Sequence, residues 1–249
     1  VCFNFPYNFT NTSTIPQGVL SYKWDLNDGT NSDSINIKNK IYGKWGSYFP
    51  SLVATSDLLC RDTVSLRVEV APKPRASFNR TTDSAQCLKA NTYSFLNTST
   101  VDSGTIVSNK WNLGDGSIII ENQDLNDHNY AQDSSYTITL IIESNQGCKD
   151  TSTKVAVIWP QADVSFSAND SGQCFNDQLF NFTNKSKISK GTLSYQWVLG
   201  NGNGDTTTNI IGEKYAVGLS TVRLVSTSNN GCKDTLDRRI IVHPNTQPN

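Results

Sequence analysis

Six cysteines are the residues of this sequence whose spacing points most directly to chemistry. They alternate between long and short gaps along the chain, at Cys2, Cys60, Cys87, Cys148, Cys174 and Cys232. An even number of cysteines without Cys-x-x-Cys spacing favours disulfides over a zinc site. Because disulfides persist only in oxidising surroundings, the sequence predicts an extracellular or cell-surface protein.

The gaps divide the cysteines into three couples, one in each of three similar units. Six cysteines allow fifteen pairings, and the threefold pattern favours bonds inside the units. The predicted bonds are Cys2–Cys60, Cys87–Cys148 and Cys174–Cys232. Each would close a loop of close to sixty residues, which is worth about 4 kcal/mol in the chain-entropy model.

A carboxylate between two glycines is the second group that could do chemistry. The stretch "NKWNLGDGS" places Asp115 there, and "YQWVLGNGN" places Asn201 there. In the matching stretch "YKWDLNDGT", Asp28 stands at the same position between Asn27 and Gly29. The change from aspartate to asparagine removes the charge, whereas Asp-Gly and Asn-Gly both supply the positive φ angles of a tight hairpin. The sequence therefore predicts a structural turn at this position.

The remaining titratable residues do not form a catalytic set. Asp62, Asp150 and Asp234 recur two residues after the second cysteine of each unit, and we expect them to face solvent at the start of a strand. A glycosidase needs two carboxylates facing one cleft. His128 and His243 have no counterparts in the other units, so no recurring Ser-His-Asp set can be assembled. The sequence predicts a protein that is not an enzyme.

Calcium binding is the alternative to our expectation that the chain has no cofactor. The stretch "LNDGTNSDS" supplies Asn27, Asp28 and Asp33, whose oxygen atoms are ligands of the kind that Ca²⁺ prefers. The stretch does not fit the EF-hand pattern, and the oxygen-bearing side chains differ between units. We therefore expect no cofactor, with these three residues as the calcium candidates.

One tryptophan outside the repeated pattern is the candidate for ligand contact. Trp45 lies in "YGKWGSY", between glycines and without a counterpart in the other units. An exposed aromatic ring of this kind could bind a sugar, and the alternative is local packing over the sheet. Trp159 precedes a proline and is expected to pack between the second and third units.

Composition favours strands and excludes two classes of partner. The net charge is −1 and the pI is about 6.1, so there is no basic excess to neutralise nucleic-acid phosphates. No apolar run has the length of a membrane span, so we expect no membrane insertion. Val, Ile, Thr and Tyr outnumber strong helix formers, and frequent Asn, Asp and Gly supply turns. No convincing amphipathic helix is found.

The elements that position these residues are β-strands, about seven in each unit. The core tryptophans Trp24, Trp111 and Trp197 lie 87 and 86 residues apart, which indicates tandem domains of one topology. Short alternating strands around a buried tryptophan predict an all-β fold of immunoglobulin-like sandwiches, with one disulfide each. Pro50 falls inside one of these strands and predicts an edge position or a bulge.

Proline-containing joints set the predicted domain boundaries. "APKPRASF" and "VIWPQADVSF" separate repeat 1 (1–72), repeat 2 (73–160) and repeat 3 (161–249). Repeats 2 and 3 open with a short strand, "RASF" or "DVSF", that repeat 1 lacks. We expect repeat 1 to have an exposed edge or to borrow a strand, and the chain, which contains no methionine, to be a piece of a longer array.

Repeat 2 resembles the polycystic kidney disease (PKD) domain. The resemblance rests on a tryptophan strand, a Gly-Asp-Gly turn and the segment "HNYAQDSSYTITLIIES". Its residues are Trp111, Leu113, Gly114, Asp115, Gly116, His128, Tyr130, Tyr136, Ile138 and Leu140. The motif recurs three times and covers the whole chain. The segments "SNQGCKDT" and "SNNGCKDT" are also similar to cysteine-bearing PKD repeats of very large Bacteroidetes surface proteins, including the gliding-motility adhesin.

The resemblance implies a non-catalytic stalk or adhesin segment of a large cell-surface protein. Its partners would be other repeats of the same long chain, with a surface polysaccharide or another cell-surface protein as the ligand. Two alternatives come from other classes. One is an accessory module of a secreted polysaccharide- or protein-degrading enzyme, and the other is a glycan- or receptor-binding module that uses Trp45.

Overall fold

The structure is a computed structural model that describes residues 1–120 and 124–246. Regular secondary structure within these ranges consists of β-strands, which form several sheets. The predicted all-β fold of immunoglobulin-like sandwiches is confirmed. No helix in the described ranges could cross a membrane. The last residues of predicted repeat 3, 247–249, lie outside the described residues.

Repeat 1 forms short strands in three small sheets. Its strands are β1 (Tyr7–Phe9), β2 (Leu20–Asp25), β3 (Asn31–Ser32), β4 (Ile37–Lys40), β5 (Gly46–Tyr48), β6 (Ser51–Ser56), β7 (Arg61–Ser65) and β8 (Val68–Val70). Strand β1 pairs with β4, the strands β3-β2-β6-β7 form one sheet, and β5 pairs with β8. Pro50 lies between β5 and β6, so the strand in which an edge position or a bulge was predicted is interrupted there.

Repeat 2 adds the opening strand that repeat 1 lacks. Its strands are β9 (Phe78–Arg80), β10 (Ala85–Cys87), β11 (Tyr93–Asn97), β12 (Ile106–Asn112), β13 (Ile118–Ile120), β14 (Leu125–His128), β15 (Ser135–Ser144) and β16 (Lys149–Trp159). One sheet has the order β14-β11-β9, so β11 is paired on both edges. The second has the order β10-β16-β15-β12-β13.

Repeat 3 has the same sheet orders. Its strands are β17 (Phe166–Ala168), β18 (Gly172–Cys174), β19 (Phe180–Asn184), β20 (Leu193–Val198), β21 (Gly204–Asp205), β22 (Ile210–Glu213), β23 (Gly218–Ser228) and β24 (Lys233–His243). The sheets are β17-β19-β22 and β18-β24-β23-β20-β21. Strands β23 and β24 are continuous here, whereas their counterparts in repeat 1 are each broken in two.

The repeated tryptophans lie at the centres of the cores. In repeat 3, Trp197 on β20 is fully buried and packs edge-on against Phe166, with the ring centroids 5.0 Å apart. Trp24 and Trp111 are buried in the same way on β2 and β12. Alternation along these strands directs one face inward, because successive strand side chains point to opposite sides.

Two compact units make up the folded chain. Unit 1 consists of residues 1–80, 95–125 and 137–154, and unit 2 consists of residues 81–94, 126–136 and 155–249. The division passes through repeat 2, and strands β11, β15 and β16 continue across it. The predicted bounds 1–72, 73–160 and 161–249 therefore stay a prediction.

The predicted disulfide pairing is wrong. The bonds join Cys2 to Cys148 and Cys87 to Cys232, while Cys60 and Cys174 are unpaired. The first cysteine of one repeat is thus bonded to the second cysteine of the next repeat. The prediction of one disulfide inside each sandwich is wrong for the same reason.

Strand geometry explains why the cysteines of one repeat cannot bond to each other. In repeat 3, β18 runs parallel to the end of β24, which places Cys174 beside His243. Cys232 comes directly before Lys233, the first residue of the same 11-residue strand. At about 3.3 Å per residue the two cysteines lie roughly 36 Å apart, whereas a disulfide needs Cα atoms within about 7 Å.

Candidate functional site

The first candidate site is the joint between repeats 1 and 2, which lies within unit 1. Its disulfide, Cys2–Cys148, has a Cα–Cα distance of 5.6 Å. Asp150, two residues after Cys148, accepts a hydrogen bond from the backbone N–H of Ala76 at 2.8 Å. The same carboxylate forms an ion pair with Lys73 at 2.8 Å. The joint therefore combines one covalent bond with charge-assisted hydrogen bonds to the linker.

The second joint, between repeats 2 and 3, lies within unit 2 and repeats this arrangement. Its disulfide, Cys87–Cys232, has a Cα–Cα distance of 5.5 Å. Asp234 forms an ion pair with Lys89 at 2.8 Å. Gln161 of the linker donates a hydrogen bond to the backbone carbonyl of Lys233 at 2.7 Å. The disulfide and the ion pair of the following aspartate recur in both joints, although the lysine partner is Lys73 of the linker in one and Lys89 in the other.

The structure corrects the expectation that the aspartates after the second cysteines face solvent. Asp150 and Asp234 are half-buried ion-pair partners, whereas their counterpart Asp62 is exposed. Burial by itself would raise the pKa of Asp234, but hydrogen bonds from Lys89 and Thr235 hold that pKa below its ordinary value. The recurring "KDT" after each paired cysteine was the sequence signal for this role.

Acid should weaken the second joint. Because the pKa of Asp234 is lowered in the folded protein, its contribution is present above the ordinary aspartate pKa and is lost as the pH falls through the folded value. We expect Asp234→Asn to cost about 0.5–1 kcal/mol at pH 7 and little at pH 2. Urea unfolding at both pH values measures the difference. The matched control is Asp62→Asn, which removes the exposed counterpart of Asp234.

The glycine-flanked turn is held differently in repeats 1 and 3. In repeat 1, Asp28 forms an ion pair with Lys40 at 2.5 Å and accepts a hydrogen bond from the Thr30 hydroxyl at 2.6 Å. In repeat 3, the Asn201 amide donates hydrogen bonds to Glu213 and to the Lys214 carbonyl, at 2.6 and 3.0 Å. One turn geometry is thus stabilised by either an ion pair or an amide.

In repeat 2 the same turn includes a local hydrogen bond. Asp115 accepts a hydrogen bond from the backbone N–H of Ser117 at 2.9 Å. Gly114 has a φ of +81°, and a Cβ atom at this position would approach the carbonyl oxygen of Thr137 to 2.9 Å. A residue without a side chain is therefore required by both conformation and space.

Two of the three calcium candidates have protein partners for their side-chain oxygen atoms. Both oxygens of Asp28 are bound by Lys40 and Thr30, and the side-chain oxygen of Asn27 accepts a hydrogen bond from the Phe49 amide at 2.9 Å. Asp33 is exposed. Within the described ranges, no group of three or more His, Cys, Asp or Glu side chains could hold a metal ion.

Calcium should leave the stability of the chain unchanged. A cation at Asp28 would have to displace the ammonium group of Lys40, so binding would exchange one charge partner for another. We expect melting temperatures in excess Ca²⁺ and in chelator to agree within about 1 °C, since only a ligand that binds the folded state shifts them. Differential scanning calorimetry measures both. An upward shift in calcium that Asp28→Asn abolishes would contradict this expectation.

Trp45 lies at the edge of a cleft of unit 1. Its side chain is 46% exposed. The cleft has a volume of about 630 Å³, and its charged lining includes Lys44, Lys73, Arg75 and Asp102. Asp150 of the first joint also lines it, so the cleft adjoins the linker between repeats 1 and 2. An exposed indole ring beside charged groups is an arrangement that could contact a polar ligand.

The two histidines lie apart from any such arrangement. His128 packs edge-on against Tyr130, with ring centroids 4.6 Å apart. His243 is the last residue of β24 and is exposed. Trp159, the last residue of β16, is half-buried and pairs with Cys87 in the parallel register of β10 and β16. None of these residues is placed by the fold in the Trp45 cleft.

Comparisons with known proteins agree with this architecture. A family model described as "PKD domain" matches residues 69–158, about a third of the chain. No curated protein sequence matches. The solved PKD1 domains of Vibrio anguillarum Epp and of the Vibrio cholerae metalloprotease PrtV are each 26% identical over 34% of this chain. They are covered to 93% and 96%, with a TM-score of 0.30 each.

A longer structure is similar over almost the whole chain. The similar structure contains the N-terminal eight immunoglobulin domains of the Down Syndrome Cell Adhesion Molecule, isoform 1.30.30. The match covers 98% of this chain and 37% of that structure's chain. The TM-score is 0.54 and the identity 11%. This similarity shows the fold. The family match shows that residues 69–158 are similar to a PKD domain.

Proposed function

We propose that this chain is a non-catalytic spacer or adhesive segment of an extracellular protein. The observation that carries the proposal is the pair of disulfides that bond successive repeats to one another. A covalent bond at each joint limits how far the chain can extend when one of the domains unfolds. That property serves a protein that must hold a distance or bear a load outside the cell.

Two further observations support an extracellular setting. Disulfides persist in oxidising compartments, and residues 69–158 match a PKD domain. The cysteine-bearing segments also resemble repeats of large Bacteroidetes surface proteins. On that resemblance we propose a parent protein of the adhesin type, with gliding motility as one such setting and other repeats of the parent chain as partners.

Surface labelling tests this proposal. Antibodies against the purified chain should label intact source cells, and the label should be lost after brief external proteolysis. Antibodies against a cytoplasmic protein, as the control, should label only permeabilised cells. Label confined to permeabilised cells would contradict the proposal. Labelling of a secreted hydrolase that contains this segment would favour the alternative role as an accessory module of an enzyme.

A second candidate function is glycan binding at the Trp45 cleft. The half-exposed indole ring and the charged lining of the cleft favour it. A glycan array probed with the full chain tests it, and Trp45→Ala should remove any signal. Phe49→Ala, which removes an exposed ring outside the cleft, is the matched control. Signals of equal strength from all three proteins would exclude Trp45 as the contact.

A further inference from the structure

One loop of repeat 1 is anchored like its counterpart in repeat 2 but presents different side chains. The Tyr48 hydroxyl donates a hydrogen bond to the Lys44 carbonyl at 2.8 Å, and the Tyr48 ring packs against the buried Tyr42 ring with centroids 4.0 Å apart. In repeat 2 the Tyr136 hydroxyl donates to the Gln132 carbonyl at 2.9 Å in the same way. Because this anchor holds the backbone of the loop, the side chains at its tip can differ between repeats.

The tip of the repeat-2 loop bonds directly to repeat 3. Asp133 accepts a hydrogen bond from the Ser189 hydroxyl at 2.7 Å, within unit 2. At the matching positions of the sequence, the first joint has Trp45 and Asp102. Both residues line the Trp45 cleft, and the Asp102 carboxylate forms an ion pair with Arg75 of the linker at 3.1 Å. The first joint thus has an indole ring in a cleft where the second joint has a direct hydrogen bond.

The cleft carries one positive charge that its own carboxylates do not balance. Lys73 is paired with Asp150 and Arg75 with Asp102, whereas no ion pair is found for Lys44 in the described part of the chain. Three cations and two carboxylates give the lining a charge of +1. Lys73 and Arg75 are exposed, and their remaining N–H groups can donate hydrogen bonds to a ligand. The cleft therefore favours an anion.

The indole ring of Trp45 favours a sugar among the possible anions. Because this ring is nearly half exposed, it offers a flat apolar surface to a ligand. The C–H groups on one face of a pyranose ring can pack on such a surface, since the π face of the indole is negative and the C–H groups are weakly positive. Asn4, which also lines the cleft, is a partner for the sugar hydroxyls. The volume of about 630 Å³ is within the range of small-molecule sites.

We propose that the Trp45 cleft binds a saccharide that carries carboxylate groups, with a sugar ring on Trp45 and a carboxylate bound by Lys44. The proposal rests on the second candidate function, glycan binding, and specifies the class of glycan. A neutral sugar would use the indole ring but would leave the charge of Lys44 unanswered. An acidic peptide would use that charge but would lack the flat C–H face that packs on the ring.

The site is built from two repeats, both within unit 1. The loop that carries the indole ring belongs to repeat 1, whereas Asp102 and Asp150 of repeat 2 hold the two linker cations by their ion pairs. The Cys2–Cys148 bond adjoins the cleft, because Asp150 follows Cys148 by two residues. Binding therefore requires that the first joint is closed.

Two sugar hexamers that differ only at C6 test the role of charge. The hexamer of β-1,4-linked glucuronic acid has a carboxylate where cellohexaose has a hydroxymethyl group. In isothermal titration calorimetry at low salt, the full chain should bind the glucuronate hexamer about fivefold more tightly, as expected for an exposed ion pair. Lys44→Gln should remove this preference and leave the affinity for cellohexaose unchanged. Lys38→Gln, which removes the charge of an exposed lysine outside the cleft, is the matched control.

The outcomes separate the acidic specificity from glycan binding itself. Equal affinities for the two hexamers, both lost in Trp45→Ala, would overturn the acidic specificity and retain glycan binding. Failure of both hexamers to bind would overturn the two together. A hexamer of glutamate that displaces the glucuronate with equal affinity would show an anion site without sugar recognition and would also overturn the proposal.

A disulfide variant tests the dependence on the first joint. Cys2→Ser/Cys148→Ser should weaken binding of the glucuronate hexamer by about tenfold, because the linker cations and the indole ring are no longer held together in advance. Cys87→Ser/Cys232→Ser removes the bond of the second joint, within unit 2, and should bind like the original chain. Far-UV circular dichroism checks that both variants retain their sheets. Unchanged binding in the first variant would contradict a site built from two repeats.

Discussion

Pulled from its two termini, the oxidised chain should extend to about 280 Å, against about 870 Å after reduction, at roughly 3.5 Å per extended residue. The reason is that the chain segments enclosed by the two disulfides, 2–148 and 87–232, overlap. Three chain segments, of 85, 61 and 84 residues, run between the Cys2–Cys148 bond and the Cys87–Cys232 bond. The shortest of them limits the extension.

Single-molecule force spectroscopy measures this difference directly. The oxidised chain should show only the extension of the 61-residue segment and the short ends, and a reducing agent should release the rest. Bonds inside each repeat would shorten the chain by 58, 61 and 58 residues and would give about 250 Å, so the two pairings differ by only about 30 Å in oxidised length. A reduced-state length in oxidising buffer would contradict the overlapping disulfides.

The double variant Cys87→Ser/Cys232→Ser should be less stable than the original chain by about 5 kcal/mol in the chain-entropy model, since the bond closes a sequence separation of 145 residues. The same number of cysteines is removed in Cys60→Ser with Cys174→Ser. That matched variant should be as stable as the original chain, because neither cysteine is bonded.

Urea unfolding of the three proteins under oxidising conditions checks this expectation. The bonded pair also fixes the Lys89–Asp234 contact, so its loss should lower the pH dependence of stability that Asp234 contributes. If the Cys60→Ser and Cys174→Ser variant were the less stable one, bonds inside the repeats would be favoured again and the pairing described above would be wrong.

The sequence by itself determined the fold and the character of the turns. Trp24, Trp111 and Trp197 recur at a constant spacing, and alternating strands around them bury one face. The exchange of Asp115 for Asn201 indicated a shared backbone shape in place of a reactive carboxylate, because both residues permit the turn. These features depend on the backbone preferences of residues that are neighbours in the sequence, so they can be predicted from it.

Only the tertiary structure decided which cysteines meet. Spacing cannot distinguish the two pairings, since bonds inside repeats and bonds between successive repeats both give nearly constant separations, the latter of 146 and 145 residues. The parallel register of β18 with β24 carries Cys174 to one end of a strand whose other end follows Cys232. That register is a long-range pairing, which no local sequence pattern specifies. The long-range bond between Cys87 and Cys232 likewise brings Asp234 to Lys89.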